Sequence, residues 1–519
     1  MPLLKLREGE FQLRKIFSLF LNEMLKIRKK VAVLVLVIIM TVGMAGCSGF
    51  FKIMSIFETD EWDDYWVESN IEREQELLQE IELYEGTVTG EDEYGLEYFI
   101  SLKYDCQYCY LFGRYLKEHD IKETSYKYDA LYSMSEAYWS MVNEEFYSEQ
   151  GTESDLYKSE KAKYEKYDSL IKTGDYKQYI EYENQLIEQN IEMPEEQKKI
   201  SIANNNYLYQ ICPTGEYNSE EEEYNIRQIL SQKAEIETSL EDNVDYERNG
   251  ELTEARKEEL ELTLDVINKR ISESIIMEVT SEQTHGMSFS TSLIIGNMFT
   301  IVIMIILAGS MMSGETSSGT IKSLIIAPVK RWKIYIAKYL ALIIMMVIIT
   351  LYVYITTVLI NGLLFGFSSY GTQVYAVFGK AVSVNFFTAN FAYVLCSMVP
   401  LLIFTTLAYM MSVVTRNTGA SISVSMGIYW GGNIIHLLLM GFLNNLPYVT
   451  KFLLFNNTEW FGMIFKDMIG SNLTLEYSLL GGGVFELPSS LSFAVLYVTV
   501  LLVCMNWIAL DSFCRKDIK

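Results

Sequence analysis

Six runs of this chain are long enough, and free enough of charge, to cross a bilayer, and that limits the fold more than any other feature. They lie at Val31–Phe51, Gly286–Gly314, Tyr339–Gly379, Ala381–Thr415, Asn417–Tyr448 and Leu487–Leu510. A hydrocarbon core about 30 Å thick takes about 20 apolar residues as helix, because each segment must satisfy its own backbone polar groups there. The expected fold is an all-α membrane protein with six transmembrane helices, near 31–53, 288–312, 334–365, 389–414, 419–442 and 489–511. The Tyr339–Gly379 run is too long for one crossing, so its tail from Ser368 onward is expected to be a loop.

Charge divides the chain in the same way. Between Ser55 and His285 there are 57 acidic and 21 basic side chains, whereas the other residues hold 10 acidic and 21 basic ones. An acidic insert therefore sits within a mildly basic, apolar frame, and nucleic-acid binding is excluded as a main function because phosphate contacts need a basic surface. Lys and Arg collect in the N-terminal arm (Lys26, Arg28, Lys29 and Lys30 among them), at Lys322–Lys338, at Arg416 and at Arg515–Lys519. Six crossings put all four groups on one side, the cytoplasm, with both termini; the insert is then extracellular. The expected domains are a cytoplasmic amphipathic segment (1–30), a first transmembrane helix (31–54), an acidic helical extracellular domain (55–285) and a membrane domain (286–519).

The first run also reads as a secretory signal with a lipid-accepting Cys47. Against that, thirty residues precede it, and Met44 is an indifferent residue three places before such a cysteine. Phe11, Ile16, Phe17, Phe20, Leu21, Met24 and Leu25 recur at helical spacing among basic residues. That pattern suits a helix on the inner membrane face. An uncleaved helix is the expectation.

The insert reads as helical. Leu260, Leu264, Ile267 and Ile271 keep helical spacing, as do Ile71, Leu78 and Ile81, and Ile226, Ile229, Leu230, Ile236 and Leu240. The polar stretch containing Asn249-Gly250 separates the last two helices of an expected antiparallel hairpin, and the final helix is expected to run directly into the second span. Cys106, Cys109 and Cys212 are candidates for a disulfide, within the close pair or to Cys212. No βαβ context supports a redox motif, and His119 is the only histidine near for a zinc site. The acidic run Ser219–Tyr224 lacks the alternation of a calcium loop and suits a helix N-terminus. No metal site is expected. The tyrosine density of "YDCQYCYLFGRY" suits either a contact surface or a helical core.

The stretch after the second span, "GETSSGTIKSLIIAPVKRWKIYIAKYL", carries the most information. Ile321, Leu324 and Ile325 share a helical face, and Pro328 ends that helix. A short apolar-faced helix on the cytoplasmic side suits a groove on a partner. Glu315, then Gly319-Thr320-Ile321-Lys322, then Pro328 with Arg331, resembles the first cytoplasmic loop of type-2 ABC transporter permeases. The beginning "NEMLKIRKK" and the ending "FCRKDI" are similar to theirs, and the resemblance covers 1–54 and 286–519 but not the insert. It implies six membrane helices, a second permease subunit (the same chain or a paralogue) and separate cytoplasmic ABC ATPases, which bind ATP and Mg. It also implies an ATPase-coupling helix at Gly319–Ala327 beside Glu315.

No stretch matches G-x-x-x-x-G-K-[ST], a nucleophile elbow or H-E-x-x-H, so no catalytic residue and no cofactor of its own is expected, and the chain is not expected to be an enzyme. Gly419, Ser423, Gly427 and Gly431 recur every four residues on the fifth span, either for packing within the subunit or for a subunit interface. His436 lies near the outer end of that span, as an interfacial anchor or a functional group. Two functions compete, beside a weaker third reading, a lipid-anchored sensor that requires cleavage at Cys47. One is the permease of an ATP-driven exporter. The other is a non-transporting scaffold with a helical external domain, similar to phage-infection or secretion-accessory proteins. The loop from Glu315 to Lys338 distinguishes them, since only a transporter needs an ATPase dock.

Overall fold

The computed structural model describes residues 17–57, 61–84, 93–246, 250–275, 284–318, 330–443, 447–466 and 490–515. The chain divides into two compact units, Met1–Phe57 with Glu278–Lys519, and Glu58–Met277.

Helix α1 covers 17–28 and breaks at Lys29 and Lys30 before α2, Val31–Phe57. Ile27 and Glu23 are buried on one side of α1, while Phe17, Leu21 and Leu25 remain exposed on the other. Helix α2 runs through Cys47 without interruption, and Ser48 beside it is fully buried.

In the second unit α3 (Glu61–Tyr84) and α4 (Glu93–Tyr110) pack closely, and one π-helical turn, Leu111–Tyr115, follows α4. Gly113 sits in that turn, where a Cβ would meet the Ile71 backbone at 3.0 Å, so glycine lets α3 approach. Then come α5 (Tyr126–Tyr147), α6 (Asp155–Thr173), α7 (Tyr176–Gln189), α8 (Glu195–Ile211), α9 (Glu220–Asp242) and α10 (Glu254–Ser272). Ser125, Ser154, Asp175, Ser219 and Thr253 each accept a backbone N–H as N-cap. The Ser219–Tyr224 run is thus a capped helix start. Between α9 and α10 a two-residue ladder pairs Val244 with Glu251 and Asp245 with Gly250. Leu77, not Leu78, is the buried leucine on α3. The passage from α10 toward the next helix lies outside the described residues.

In the first unit the chain resumes with α11 (Thr284–Met311) and α12 (Arg331–Phe365). At 1.5 Å per residue α12 is about 50 Å long, well beyond a bilayer core. The expected loop after Ser368 is instead a hairpin, β1 (Thr372–Val377) with β2 (Lys380–Asn385). Its turn is Phe378-Gly379, both at positive φ, as a two-residue I′-type turn requires. The expected fourth span is two helices, α13 (Phe386–Cys396) and α14 (Met398–Thr415), because Pro400 cannot donate to the Cys396 carbonyl. Helix α15 is Thr418–Leu443, the short β3 (Phe465–Lys466) adds to β1, and α16 is Leu491–Arg515.

Among the described residues five helical segments are long and apolar enough to cross a membrane: α2, α11, α12, α13 with α14, and α16. Helix α15, at the expected fifth span, has 26 residues and no acidic or basic side chain except His436. The protein is an all-α membrane protein with little strand.

Candidate functional site

Helix α11 is held at its end by another helix. The Ser412 hydroxyl of α14 accepts the backbone N–H of Met312 at 3.2 Å and of Ser313 at 2.9 Å. Ser421 of α15 donates to the Gly309 carbonyl at 2.7 Å, and Ser313 and Thr418 hydroxyls lie 2.9 Å apart. Close approach depends on Gly309, where a Cβ would stand 2.7 Å from Ile422. Bonds of this kind occupy donors that a broken helix would otherwise bury unpaired. They fix the short helix Ser313–Ser317, and with it Glu315.

Glu315 belongs to a closed ring of four charges. Lys26 Nζ lies 2.8 Å from Glu23 Oε1 and 2.9 Å from Glu315 Oε1. Lys338 Nζ lies 2.9 Å from the same Glu315 oxygen and 2.9 Å from Glu23 Oε2. Side-chain exposure is 1 % for Lys338, 7 % for Glu23 and 14 % for Glu315, against 52 % for Lys26. Burial acts against the charged form of Glu315, yet Lys338 and Lys26 outweigh it and hold the carboxyl below its ordinary value of 4.5. Burial likewise disfavours the Lys26 ammonium, but its bonds to Glu23 and Glu315 raise it above its ordinary 10.5.

The surroundings join further segments to this ring. Lys30 donates to Ser310 at 2.9 Å. Tyr409 donates to the Tyr335 carbonyl, and the rings of Tyr335, Tyr339 and Tyr409 lie within 5.0–6.3 Å of one another. Tyr335 donates to Asn506 of α16 at 2.8 Å, and Arg331 donates to the Cys514 carbonyl at 3.3 Å. The ring therefore ties α1, the root of the loop after α11 and the start of α12 into one mechanical block.

Of the expected coupling residues, Glu315 stands at the centre of this block and Arg331 at its edge. Gly319, Thr320, Ile321, Leu324, Ile325 and Pro328 lie outside the described residues. Glu23, Lys26 and Lys338 complete the ring, and the sequence reading had not joined them to Glu315. Only the Glu23–Lys26 spacing of three was a local signal.

Among the described residues nothing packs on the Gly427 and Gly431 positions of the α15 stripe. A Cβ at Gly427 or Gly431 meets nothing within 4 Å, and one at Gly419 meets only Asn417 of its own turn. Gly419, Ser423 and Gly427 are exposed, whereas Ser421, Ser425 and Tyr429 face inward. His436 packs its ring against Phe455 at 5.4 Å, and Nδ1 has no hydrogen-bond partner among the described residues. Cys106, Cys109 and Cys212 are not bonded to one another in this structure. Cys106 and Cys109 pack with Leu77 and Leu102, while Cys212 belongs to a different cluster with Leu208 and Tyr217. Burial pushes the Cys106 thiol up to about 11, which leaves it unreactive.

Comparison with known proteins matches residues 17–517 to the model of a family described as ABC-2 family transporter protein. Among curated proteins of Bacillus subtilis (strain 168), the chain is similar to the uncharacterized membrane protein YdbK. That match is 30 % identical over 196 residues, covering 38 % of this chain and 72 % of the relative. It is also similar to the uncharacterized protein YhcI, at 22 % identity over 257 residues, 49 % of this chain and 77 % of the relative. No solved structure matches the chain.

Proposed function

Because this chain belongs to the ABC-2 transporter family, we propose that it is the permease subunit of an ATP-driven exporter, coupling a separate cytoplasmic ATPase to outward movement of a substrate. The observation that carries this reading is the charge ring at the root of the expected coupling loop. A loop that receives force from a partner must be anchored to the helices it moves, and Glu315 is bonded to both α1 and α12. ATP and Mg bind the partner in this reading, since the chain holds no phosphate-binding glycine loop of its own.

The rest of the arrangement follows from charge. Six crossings with the basic groups inside put both termini in the cytoplasm and residues 55–285 outside. Helix α2 is retained in the mature protein. The open stripe of Gly419, Ser423, Gly427 and Gly431 faces the second permease subunit, because small residues let two helix backbones approach within lipid.

The test is purification of the tagged full-length chain from its native membrane in mild detergent. Recovery of a distinct polypeptide that hydrolyses ATP supports the reading. Recovery of the chain without any ATPase, under conditions that keep it folded, favours the scaffold alternative.

A further inference from the structure

The tyrosines of the acidic unit serve two purposes, and the structure separates them. Tyr115, Tyr126, Tyr167, Tyr176 and Tyr179 are core residues, all under 10 % exposed. Others line a surface. On α4, Tyr94, Tyr98, Tyr104 and Tyr108 share one face, with Glu97, Ser101 and Asp105 between them. On α5, Tyr132, Glu136 and Trp139 share the adjoining face. Tyr94 is 86 % exposed, Tyr98 and Tyr132 are each 45 % exposed, and Trp139 is 42 % exposed.

The two faces meet where the ring centroids of Tyr104 and Trp139 lie 5.0 Å apart and those of Tyr104 and Tyr108 lie 6.2 Å apart, with Tyr132 against buried Phe112 at 4.7 Å; at the α3 edge Tyr98 packs against Tyr84 at 5.5 Å and donates to Glu80. No lysine or arginine lies on either face; nearby Lys103 is turned toward the rings of Phe99 and Phe146. A merely solvated helix face would carry lysine and glutamate rather than a row of rings.

We infer that this aromatic surface binds a cationic, apolar peptide segment. Charge complementarity selects a cation: the unit carries 55 acidic against 21 basic side chains, and the charges on the two faces are all carboxylates. Aromatic faces attract ammonium and guanidinium groups, and Tyr and Trp bury apolar area at low entropic cost. Length selects a peptide over a small amine, since Tyr94 to Tyr108 spans about 21 Å of helix. The inference stands apart from the transport reading, because a captured peptide need not be the cargo.

The test uses the full-length chain in phosphatidylcholine nanodiscs and a fluorescein-labelled peptide of repeating Lys-Leu-Leu-Lys units, about 14 residues long to match the face. Anisotropy should report binding, and a Glu-Leu-Leu-Glu peptide should not bind. Trp139→Ala should weaken binding about tenfold. Changing Glu97, Asp105 and Glu136 together to Gln should do the same without disturbing the core. A control with exposed Glu188, Glu258 and Glu261 changed to Gln should bind as wild type. Equal loss in both carboxylate triples would reduce the attraction to bulk charge and overturn the site. Wild-type affinity in Trp139→Ala, or equal binding of the acidic peptide, would overturn it as well.

Discussion

Lys338 donates to Glu315 at 2.9 Å from a position where only 1 % of its side chain reaches solvent. A lysine so deeply placed is stable only when its charge is fully answered, and Glu315 and Glu23 answer it together. Glu23 and Glu315 come from segments more than half the chain's length apart, so the pairing exists only once α1, the loop root and α12 have assembled.

Breaking the ring on one side should therefore be costly. Lys338→Met leaves two buried carboxylates facing each other, and loss of one partner of a buried pair costs about 3–5 kcal/mol. Lys338→Met combined with Glu315→Gln should recover much of that, since the Glu23–Lys26 pair on α1 survives. Thermal midpoints of the purified variants measure this. A double variant no more stable than Lys338→Met alone would show that the ring does not act as a unit.

Acid should loosen the same contact. The Glu315 carboxyl is held below its ordinary value in the folded chain, so its contribution is present above about 4.5 and is lost as pH falls through the lower folded value. Lys26 has the opposite sign: its contribution is present below about 10.5 and fades as pH rises through its raised value. The thermal midpoint of wild type should fall as pH drops below about 4.5, and Glu315→Gln should show a shallower fall. Parallel curves for the two proteins would remove Glu315 as the source.

The membrane helices were legible because uncharged runs of their length have few other uses. Observed α2, α11, α12, α14, α15 and α16 start or end within a few residues of the expected bounds, and the α13–α14 break comes from a single Pro400. The hairpin was not legible. Thr372–Val377 is short and continuous with apolar sequence, and Phe378 is an unusual residue for a positive-φ turn. Nor could the ring be read, because Lys26 and Glu315 are separated by 289 positions and no local period joins them. Glu315 itself was singled out only through the loop it belongs to. Tyrosine density left core and surface open together, since the same stretch runs from Tyr104 and Tyr108 on α4 to buried Tyr115 in the π-helical turn that follows.

Glycines on α11 and α15 should respond differently to bulk. Gly309→Leu collides with Ile422 inside the chain and should cost about 1–3 kcal/mol by overpacking. Gly427→Leu meets nothing within 4 Å among the described residues, so the isolated chain should fold normally while association with a second subunit weakens. Crosslinking and thermal midpoints, measured on both variants, separate the effects. A folding defect in Gly427→Leu would contradict the open stripe.

The acidic unit should be reachable from outside the cell. A single cysteine replacing Glu220, with the native cysteines removed, should react with a membrane-impermeant maleimide in intact cells. Labelling that appears only after lysis would reverse the topology.

The central claim is that the loop after α11 delivers an ATPase's motion to the anchored block around Glu315. If Ile321, Leu324 and Ile325 fill a groove on that ATPase, each should contribute about 1.5–3 kcal/mol through burial, less the ordering it requires. The decisive measurement is a pulldown of the ATPase by wild type, Leu324→Asp and a control change at Lys322, each first shown to insert in the membrane. The account predicts that Leu324→Asp loses at least about nine-tenths of the recovered ATPase while the Lys322 variant retains it. Equal recovery from all three proteins would contradict it.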